Sequence, residues 1–314
     1  MLGRVQAVRR RGAVAVAILL CLLLAPAAAG AAQVSLGDSY SSGEGTSDYD
    51  SGTRAHIGNG CHRSRHAWPR LLGVLPDAHF ACSGARTDDF FEGQKSGLRA
   101  GADSASQLDR LAALAAARPI SRVFATIGGN DLGFGKIIRD CVIKTCLRRM
   151  GEVELPRLRD VVVPGVTAAL AATKLTAAEA EVVLVGYPDL IPPPFHLSVG
   201  CRWLNAFERV RVRRLQAKLD AALSTAAAAA GALYVSVRPA LAGHELCTAD
   251  SWVNPIARLA TLFSQEQGHP NESGQLAIAR YVADRLPATA ARRASGSAPA
   301  RPDPSPAARP PRDG

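Results

Sequence analysis

Short apolar segments alternate along the chain with segments of helical periodicity. Five of the apolar segments have the composition of strands, at residues 33–36, 77–81, 122–127, 181–186 and 233–237, and the second is the weakest. Apolar positions recur at helical spacing in residues 104–117, 155–173, 204–229 and 272–286. Strands that alternate with helices form parallel sheets with right-handed crossovers and helices on both faces. The pattern therefore predicts a three-layer α/β/α domain around a five-stranded parallel sheet.

Polar residues follow turns at the edges of three of these elements. Ser39 comes after the first strand in a Gly-rich segment, Asn130 follows two glycines after the third strand, and His269 precedes the last helix. Ligands of such sheets bind beyond the carboxyl ends of the strands. A hydroxyl, an imidazole and an amide donor suit nucleophilic catalysis, although each residue alone is equally consistent with an ordinary turn or helix cap. The G-x-S-x-G elbow of the α/β-hydrolases does not occur in the sequence.

The two ends of the chain have a different composition from the body. Residues 1–32 combine four arginines with an apolar run at 13–24 and then small residues, which predicts a secretory signal peptide that is cleaved. That run is shorter than the roughly 20 residues that a membrane span needs. Residues 289–314 are rich in Ala, Pro, Arg and Ser without apolar periodicity, which predicts a disordered tail. One domain at 33–288 remains.

The basic character of the chain lies mostly in those two ends. The whole sequence has a formal net charge of +10, from 37 Lys and Arg against 27 Asp and Glu. The leader has four arginines and no acid, and the tail has five arginines against two aspartates, so seven of the ten charges lie outside the body. A body this close to neutral gives no support to a nucleic-acid partner.

Cysteine content agrees with export. Six cysteines remain once Cys21 leaves with the leader, and an even number in an exported chain predicts disulfides. Six cysteines allow 15 pairings, of which we predict the one that joins sequence neighbours. The predicted pairs are Cys61–Cys82, Cys141–Cys146 and Cys201–Cys247. No C-x-x-C occurs, so zinc-ribbon and thioredoxin-like interpretations have no support.

Four sequence blocks, in order, resemble the SGNH (GDSL-type) hydrolases and, within them, the secreted bacterial lipases and esterases. The blocks are Gly37-Asp38-Ser39-Tyr40-Ser41-Ser42-Gly43, Cys82-Ser83-Gly84-Ala85, Gly128-Gly129-Asn130-Asp131 and His269-Pro270-Asn271. Residues 61–69 are similar to the Cys-x-Arg-Ser-x-x-Ala-Tyr-Pro stretch of the secreted members, with Trp in place of Tyr. The resemblance covers residues 34–286 and implies a flavodoxin-like α/β/α fold.

The resemblance also implies roles for particular residues. Ser39 is the expected nucleophile and His269 the general base, while the backbone N–H groups of Ser39 and Gly84 and the amide of Asn130 form the oxyanion hole. The family commonly has Asp three residues before the histidine, where this chain has Glu266. Either Glu266 or a backbone carbonyl is expected to orient the imidazole. No cofactor or metal is implied.

Several alternatives stay open at this point. His62 and His66 have helical spacing, but the H-E-x-x-H pattern of a metal site is absent. Segments 190–195 and 252–256 form either a wall for the acyl group or ordinary packing. The expected partner is a small-molecule or lipid ester, with no stable membrane anchor, and the protein is expected to be a secreted monomer. Rival functions are a phospholipase, a carbohydrate O-deacetylase and an inactive binding domain.

Overall fold

The computed structural model describes residues 30–54, 58–94, 105–143, 153–194, 204–256 and 264–287. The predicted tail at 289–314 and nearly all of the predicted leader at 1–32 lie outside these residues. Cys146 and Cys201 also lie outside them.

The described part of the chain contains a parallel sheet of four strands. They are β1 (Ala32–Gly37), β2 (Ile120–Thr126), β3 (Glu181–Val185) and β4 (Leu233–Val235), in the spatial order β1-β2-β3-β4. Leu36 pairs with Ala125, and Phe124 pairs with Val183. The middle residues of β1, β2 and β3 are fully buried, as expected of a sheet that helices cover on both faces, whereas Tyr234 in the middle of β4 is partly buried.

The fifth strand predicted at residues 77–81 is not a strand of this sheet. Pro76–Ala78 forms a 3₁₀ turn instead, and the segment makes only a single bridge, between His79 and Ser35. Pro76 fixes its own φ and suits the start of a helical turn, which leaves few extended residues. The N–H groups of Phe80 and Cys82 still donate to the carbonyls of Ser35 and Gly37, at 2.7 and 2.9 Å. The segment therefore follows the free edge of β1.

Helices connect the strands, and side-chain caps set the starts of the three longest of them that follow a loop. The helices are α1 (Ser39–Ser42), α2 (Trp68–Leu71), α3 (Gln107–Ala117), α4 (Gly129–Leu132), α5 (Phe134–Ile143), α6 (Glu154–Arg157), α7 (Val163–Thr176), α8 (Ala206–Ala229) and α9 (Glu272–Ala283). Ser106, Asn205 and Asn271 cap α3, α8 and α9 by accepting from backbone N–H groups. Because a cap residue is not itself helical, α3 and α8 begin later than the periodicity predicts.

The predicted helix at 155–173 contains a wider turn. Leu158–Val162 is π-helical and joins α6 to α7. Pro164 follows directly in α7. A proline has no N–H to donate to a helical hydrogen bond, and its ring clashes with the carbonyl four residues earlier. The wider π-helical turn therefore lies where Pro164 disfavours regular α-helix.

Helices lie on both faces of the sheet. Trp68 of α2 packs edge-on against Phe124 of β2, with ring centroids 5.4 Å apart. Neighbouring residues of a strand point to opposite faces. α7 packs between α3 and α8 in a separate group of helices. None of the helices in the described part of the chain is long and apolar enough to cross a membrane.

Candidate active site

Ser39 lies where β1 turns into α1, almost buried at the carboxyl edge of the sheet. The turn needs glycine at residue 37, because its φ is +114° and a Cβ there would overlap the carbonyl of Thr126. Asp38 caps the short helix by accepting from the N–H of Tyr40 at 3.0 Å. The serine therefore stands on a turn that the core fixes from below.

His269 approaches Ser39 from the far end of the chain. Its Nε2 lies 2.8 Å from Ser39 Oγ, which is hydrogen-bond distance. Gly268, with a φ of +76°, turns the backbone just before it. Tyr40 fixes this turn from α1, because its hydroxyl donates to the carbonyl of Gly268 at 2.9 Å. The structure thus brings together the predicted nucleophile and the predicted base.

Glu266 makes contacts with residues other than the imidazole. Its carboxylate accepts from Tyr49 Oη at 2.7 Å and from Ser47 Oγ at 3.0 Å. The Nδ1 atom of His269 is buried and has no hydrogen-bond partner among the described residues. The carbonyl of Glu266 accepts from the N–H of His269 at 3.1 Å. The carboxylate therefore attaches the histidine loop to residues 47–49.

The predicted oxyanion donors face the same cavity as Ser39 and His269. Gly84 has a φ of +80°, and Asn130 is the second residue of α4. One amide hydrogen of Asn130 is used, because Nδ2 donates to the carbonyl of Ala85 at 2.9 Å. The amide carries a second hydrogen. All four residues line a cavity of about 360 Å³.

Much of the cavity wall is apolar. The aliphatic and phenylalanine side chains of this wall are Phe134, Ile138, Leu190, Ile191, Leu219, Leu246 and Ile256. Both loop segments that the sequence singled out contribute to it, through Leu190, Ile191 and Ile256. Val253 instead is buried in the core, and Trp252 stacks on His244 with ring centroids 3.5 Å apart. Residues 252–256 thus contribute partly to the cavity wall and partly to the hydrophobic core.

A tyrosine that the sequence did not single out joins two of the blocks. Tyr187 donates to Asp38 Oδ2 at 2.5 Å and accepts from the N–H of Gly129 at 2.8 Å. Burial raises the pKa of Asp38 to about 7, while the hydrogen bond from Tyr187 acts in the opposite direction. No motif marks Tyr187, and only its place just after β3 could have suggested a role.

A buried carboxylate beside the cavity was also missed. Glu44 has no exposed surface and lines the cavity. Its Oε1 lies 3.0 Å from His62 Nδ1, and its Oε2 accepts a hydrogen bond from Ser83 Oγ. His66, the other histidine considered as a metal ligand, lies 3.3 Å from Asp48 instead. The two histidines thus contact different carboxylates.

One predicted disulfide is present in the described residues. Cys61 and Cys82 are joined, which ties the segment after the first block to the one that carries Gly84. Cys141 and Cys247 are also disulfide-bonded. Their predicted partners, Cys146 and Cys201, lie outside the described residues, so these two pairs stay predictions.

The fold and the four blocks define an SGNH-type hydrolase. The model of the GDSL-like lipase/acylhydrolase family matches residues 35–277, and the chain belongs to this family. It is 32% identical to "Lipase 1" of Streptomyces coelicolor over 250 residues, which are 77% of this chain and 81% of the relative. It is 30% identical to "Lipase" of Streptomyces rimosus over 289 residues, 85% and 94% of the two chains. The protein is a carboxylic ester hydrolase.

Solved structures agree with this assignment. The crystal structure of the extracellular lipase from Streptomyces rimosus matches with a TM-score of 0.64 and 26% identity. That of phospholipase A1 from Streptomyces albidoflavus matches with a TM-score of 0.63 and 28% identity. Each match covers 82% of this chain and 100% of the solved one.

Proposed function

We propose that the protein hydrolyses carboxylic esters through an acyl-enzyme on Ser39. The observation that carries the proposal is the 2.8 Å contact between Ser39 Oγ and His269 Nε2 at the end of β1. A base at this distance can accept the hydroxyl proton as the oxygen attacks. The cavity beside the pair offers an apolar wall for the acyl group.

The proposed reaction has two halves. Ser39 Oγ attacks the ester carbonyl while its proton passes to His269 Nε2, and the C–O bond to the alcohol then breaks as that proton passes to the leaving oxygen. His269 next takes a proton from water, whose oxygen attacks the acyl carbon. The bond from that carbon to Ser39 Oγ then breaks as His269 returns the proton to Oγ, which releases the acid and restores both side chains. Each half passes through a tetrahedral oxyanion.

Three donors are proposed to stabilise that oxyanion. They are the backbone N–H groups of Ser39 and Gly84 and the free amide hydrogen of Asn130. The three residues line one cavity with His269, and donors aimed at a developing charge stabilise the transition state in a site that excludes water.

We propose that Glu266 positions the histidine loop rather than the imidazole itself. Its carboxylate is engaged by the hydroxyls of Ser47 and Tyr49. With the carboxylate engaged elsewhere, and with no partner for His269 Nδ1 among the described residues, the proposed catalytic unit is a Ser-His dyad.

The domain organisation and the destination of the protein are part of the proposal. We propose a leader at residues 1–32 that is removed, a catalytic domain at 33–288, a tail at 289–314 and secretion as a monomer without a bound metal or cofactor. The support is the sequence pattern of both ends and the extracellular origin of a relative with a solved structure.

The acyl-enzyme is tested by labelling with a fluorophosphonate. We expect the intact protein to take up one label and Ser39→Ala to take up none, whereas Ser121→Ala, outside the cavity, should label like the wild type. Equal labelling of Ser39→Ala and wild type would show that the nucleophile is another residue.

A phospholipase is the second candidate, because one of the matching structures is a phospholipase A1. A series of p-nitrophenyl esters from acetyl to palmitoyl, followed by a phospholipid, separates the candidates. We expect medium or long acyl chains to be preferred, since the apolar wall extends beyond what an acetyl group fills. A maximum at acetyl would favour a deacetylase.

A further inference from the structure

Glu44 is a fully buried carboxylate at the edge of the cavity to which the proposed reaction gives no step. Burying a charge is costly unless hydrogen bonds or an opposite charge compensate for it. Both oxygens of Glu44 are satisfied by side chains, one by His62 and the other by Ser83. A group that is costly to bury and bonded at both oxygens is well suited to holding its neighbours in place.

The contacts of Glu44 reach both halves of the site. Its backbone N–H donates to the carbonyl of Ser39 at 3.1 Å, on the nucleophile turn. Its side chain holds Ser83, the residue immediately before Gly84. The backbone N–H of Ser83 donates to the carbonyl of Cys61 at 3.1 Å, and Gln94 Nε2 donates to the carbonyl of Ser83 at 3.2 Å. Ser83 is thus held through its side chain and through both of its backbone polar groups.

We infer that Glu44 is a positioning residue of the oxyanion hole, which acts through Ser83 on the N–H of Gly84. The inference rests on the proposed function, in which that N–H donates to the oxyanion. The contacts with His62 and Ser83 compensate for burying the Glu44 carboxylate. The three side chains are not a second catalytic triad, because the Ser83 hydroxyl donates to the carboxylate and not to the imidazole.

The expected effect falls on the transition state. A misplacement of about 1 Å in an active site can lower the rate about 100-fold, and loss of a whole oxyanion donor lowers kcat about 100- to 1000-fold. Without Glu44 the Gly84 N–H is displaced rather than lost, so kcat should fall about 10- to 100-fold. Substrate binding makes little use of this donor, so KM should change less than about threefold.

The experiment compares four variants with a p-nitrophenyl ester and with phenylboronic acid, which forms a tetrahedral adduct on an active-site serine. Glu44→Leu removes both side-chain contacts, and Ser83→Ala removes one of them. Glu44→Gln keeps the shape and can still hydrogen-bond to both neighbours, so it should restore most of the lost kcat. Glu208→Leu is the control, since Glu208 is a buried carboxylate that helps to cap α8 and does not line the cavity.

We expect Glu44→Leu and Ser83→Ala to lose kcat and boronate affinity in parallel, while Glu208→Leu loses thermal stability and keeps its kcat. The inference is overturned if a folded Glu44→Leu keeps kcat within twofold of the wild type, or if only its KM changes. If Glu44→Leu shows no cooperative unfolding, Ser83→Ala decides in the same way. A fully active Ser39→Ala would instead overturn the proposed function.

Discussion

The two reactive side chains are held in place in different ways. Ser39 stands on a turn that continues directly from β1. Gly37, just before it, is still part of the sheet, where it pairs with Thr126 of β2. His269 stands in a loop that is held by side-chain hydrogen bonds from Tyr40, Ser47 and Tyr49 and by backbone hydrogen bonds with Asn254, which lies in another loop. The core therefore sets the position of the proposed nucleophile, while contacts between loops set the position of the proposed base. Substitutions that weaken the second set should change the rate with little change in stability.

Removal of the Ser39 hydroxyl or of the His269 imidazole should lower kcat more than any other substitution. The loss should be equally large whether the residue is held by the core or by loop contacts. We expect Ser39→Ala and His269→Ala each to lower kcat about 10,000-fold or more, and the double variant to be no slower than the single ones. The measurement is ester hydrolysis, with thermal unfolding to show that each variant is folded. A His269→Ala variant that keeps a tenth of the activity would mean that another group is the base.

Asn130 tests the nucleophile side alone. We expect Asn130→Ala to lower kcat about 100- to 1000-fold, because an oxyanion donor is lost and the contact with Ala85 disappears. Asn205→Ala is the matched control, since it removes a helix cap with a cost of about 1 kcal/mol in stability and should leave kcat unchanged. Equal kcat values for the two variants would show that Asn130 does not donate to the oxyanion.

The disulfide between Cys61 and Cys82 should contribute mainly to the stability of the nucleophile side. The bond spans 21 residues, and a loop of this size stabilises a fold by about 3 kcal/mol. We expect Cys61→Ser with Cys82→Ser to lower the unfolding free energy by about that amount in denaturant titrations. Activity at low temperature should fall less than for Glu44→Leu, because the hydrogen bonds around Ser83 remain; a larger loss of kcat would contradict this ranking.

His79 makes the nucleophile side sensitive to acid. It is buried, its Nε2 donates to the carbonyl of Ser41, and burial lowers its pKa to about 3 from the usual 6.5. The folded state thus disfavours the protonated ring, so its contribution to stability is complete above pH 6.5 and is lost as the pH falls toward 3. His79→Gln keeps a donor without this titration. The difference in unfolding free energy between wild type and His79→Gln should change by about 2 kcal/mol between pH 7 and pH 5. No change would mean that folding does not lower the pKa of His79.

The loop contacts of the base side should give the smallest effect. If Glu266 only anchors the loop, Glu266→Gln and Tyr49→Phe should lower kcat by similar amounts, about tenfold or less, as expected for the loss of one hydrogen bond. Thermal unfolding should change little in both. A kcat for Glu266→Gln far below that of Tyr49→Phe would show instead that the carboxylate acts on the imidazole.

The sequence predicts the parts of the site that depend on local order along the chain. Ser39, Asn130 and His269 each follow a glycine-containing turn next to a regular element, and such turns are visible without a structure. The four predicted helical segments were also found, with the starts of α3 and α8 displaced by the caps Ser106 and Asn205, whereas α5 was not predicted.

Contacts between turns were not predictable in the same way. The pairing of Glu44 with His62 depends on a backbone turn at His62, whose φ is +50°, and on the disulfide that places Ser83 nearby. The carboxylate of Glu266 has the right spacing for a catalytic role, but its direction depends on Ser47 and Tyr49, more than 200 residues earlier in the chain. The prediction of a strand at residues 77–81 was wrong because Pro76 starts a 3₁₀ turn there.

The distance along the chain between the two reactive residues has a consequence for biosynthesis. Ser39 and His269 are 230 residues apart, and α9, which follows the histidine, is joined to α2 by a hydrogen bond from the N–H of Trp68 to Gln275. A growing polypeptide thus has its nucleophile long before it has its base. In the proposed mechanism, ester hydrolysis therefore requires that nearly the whole domain has been synthesised and has closed, and the appearance of activity should report the completion of folding.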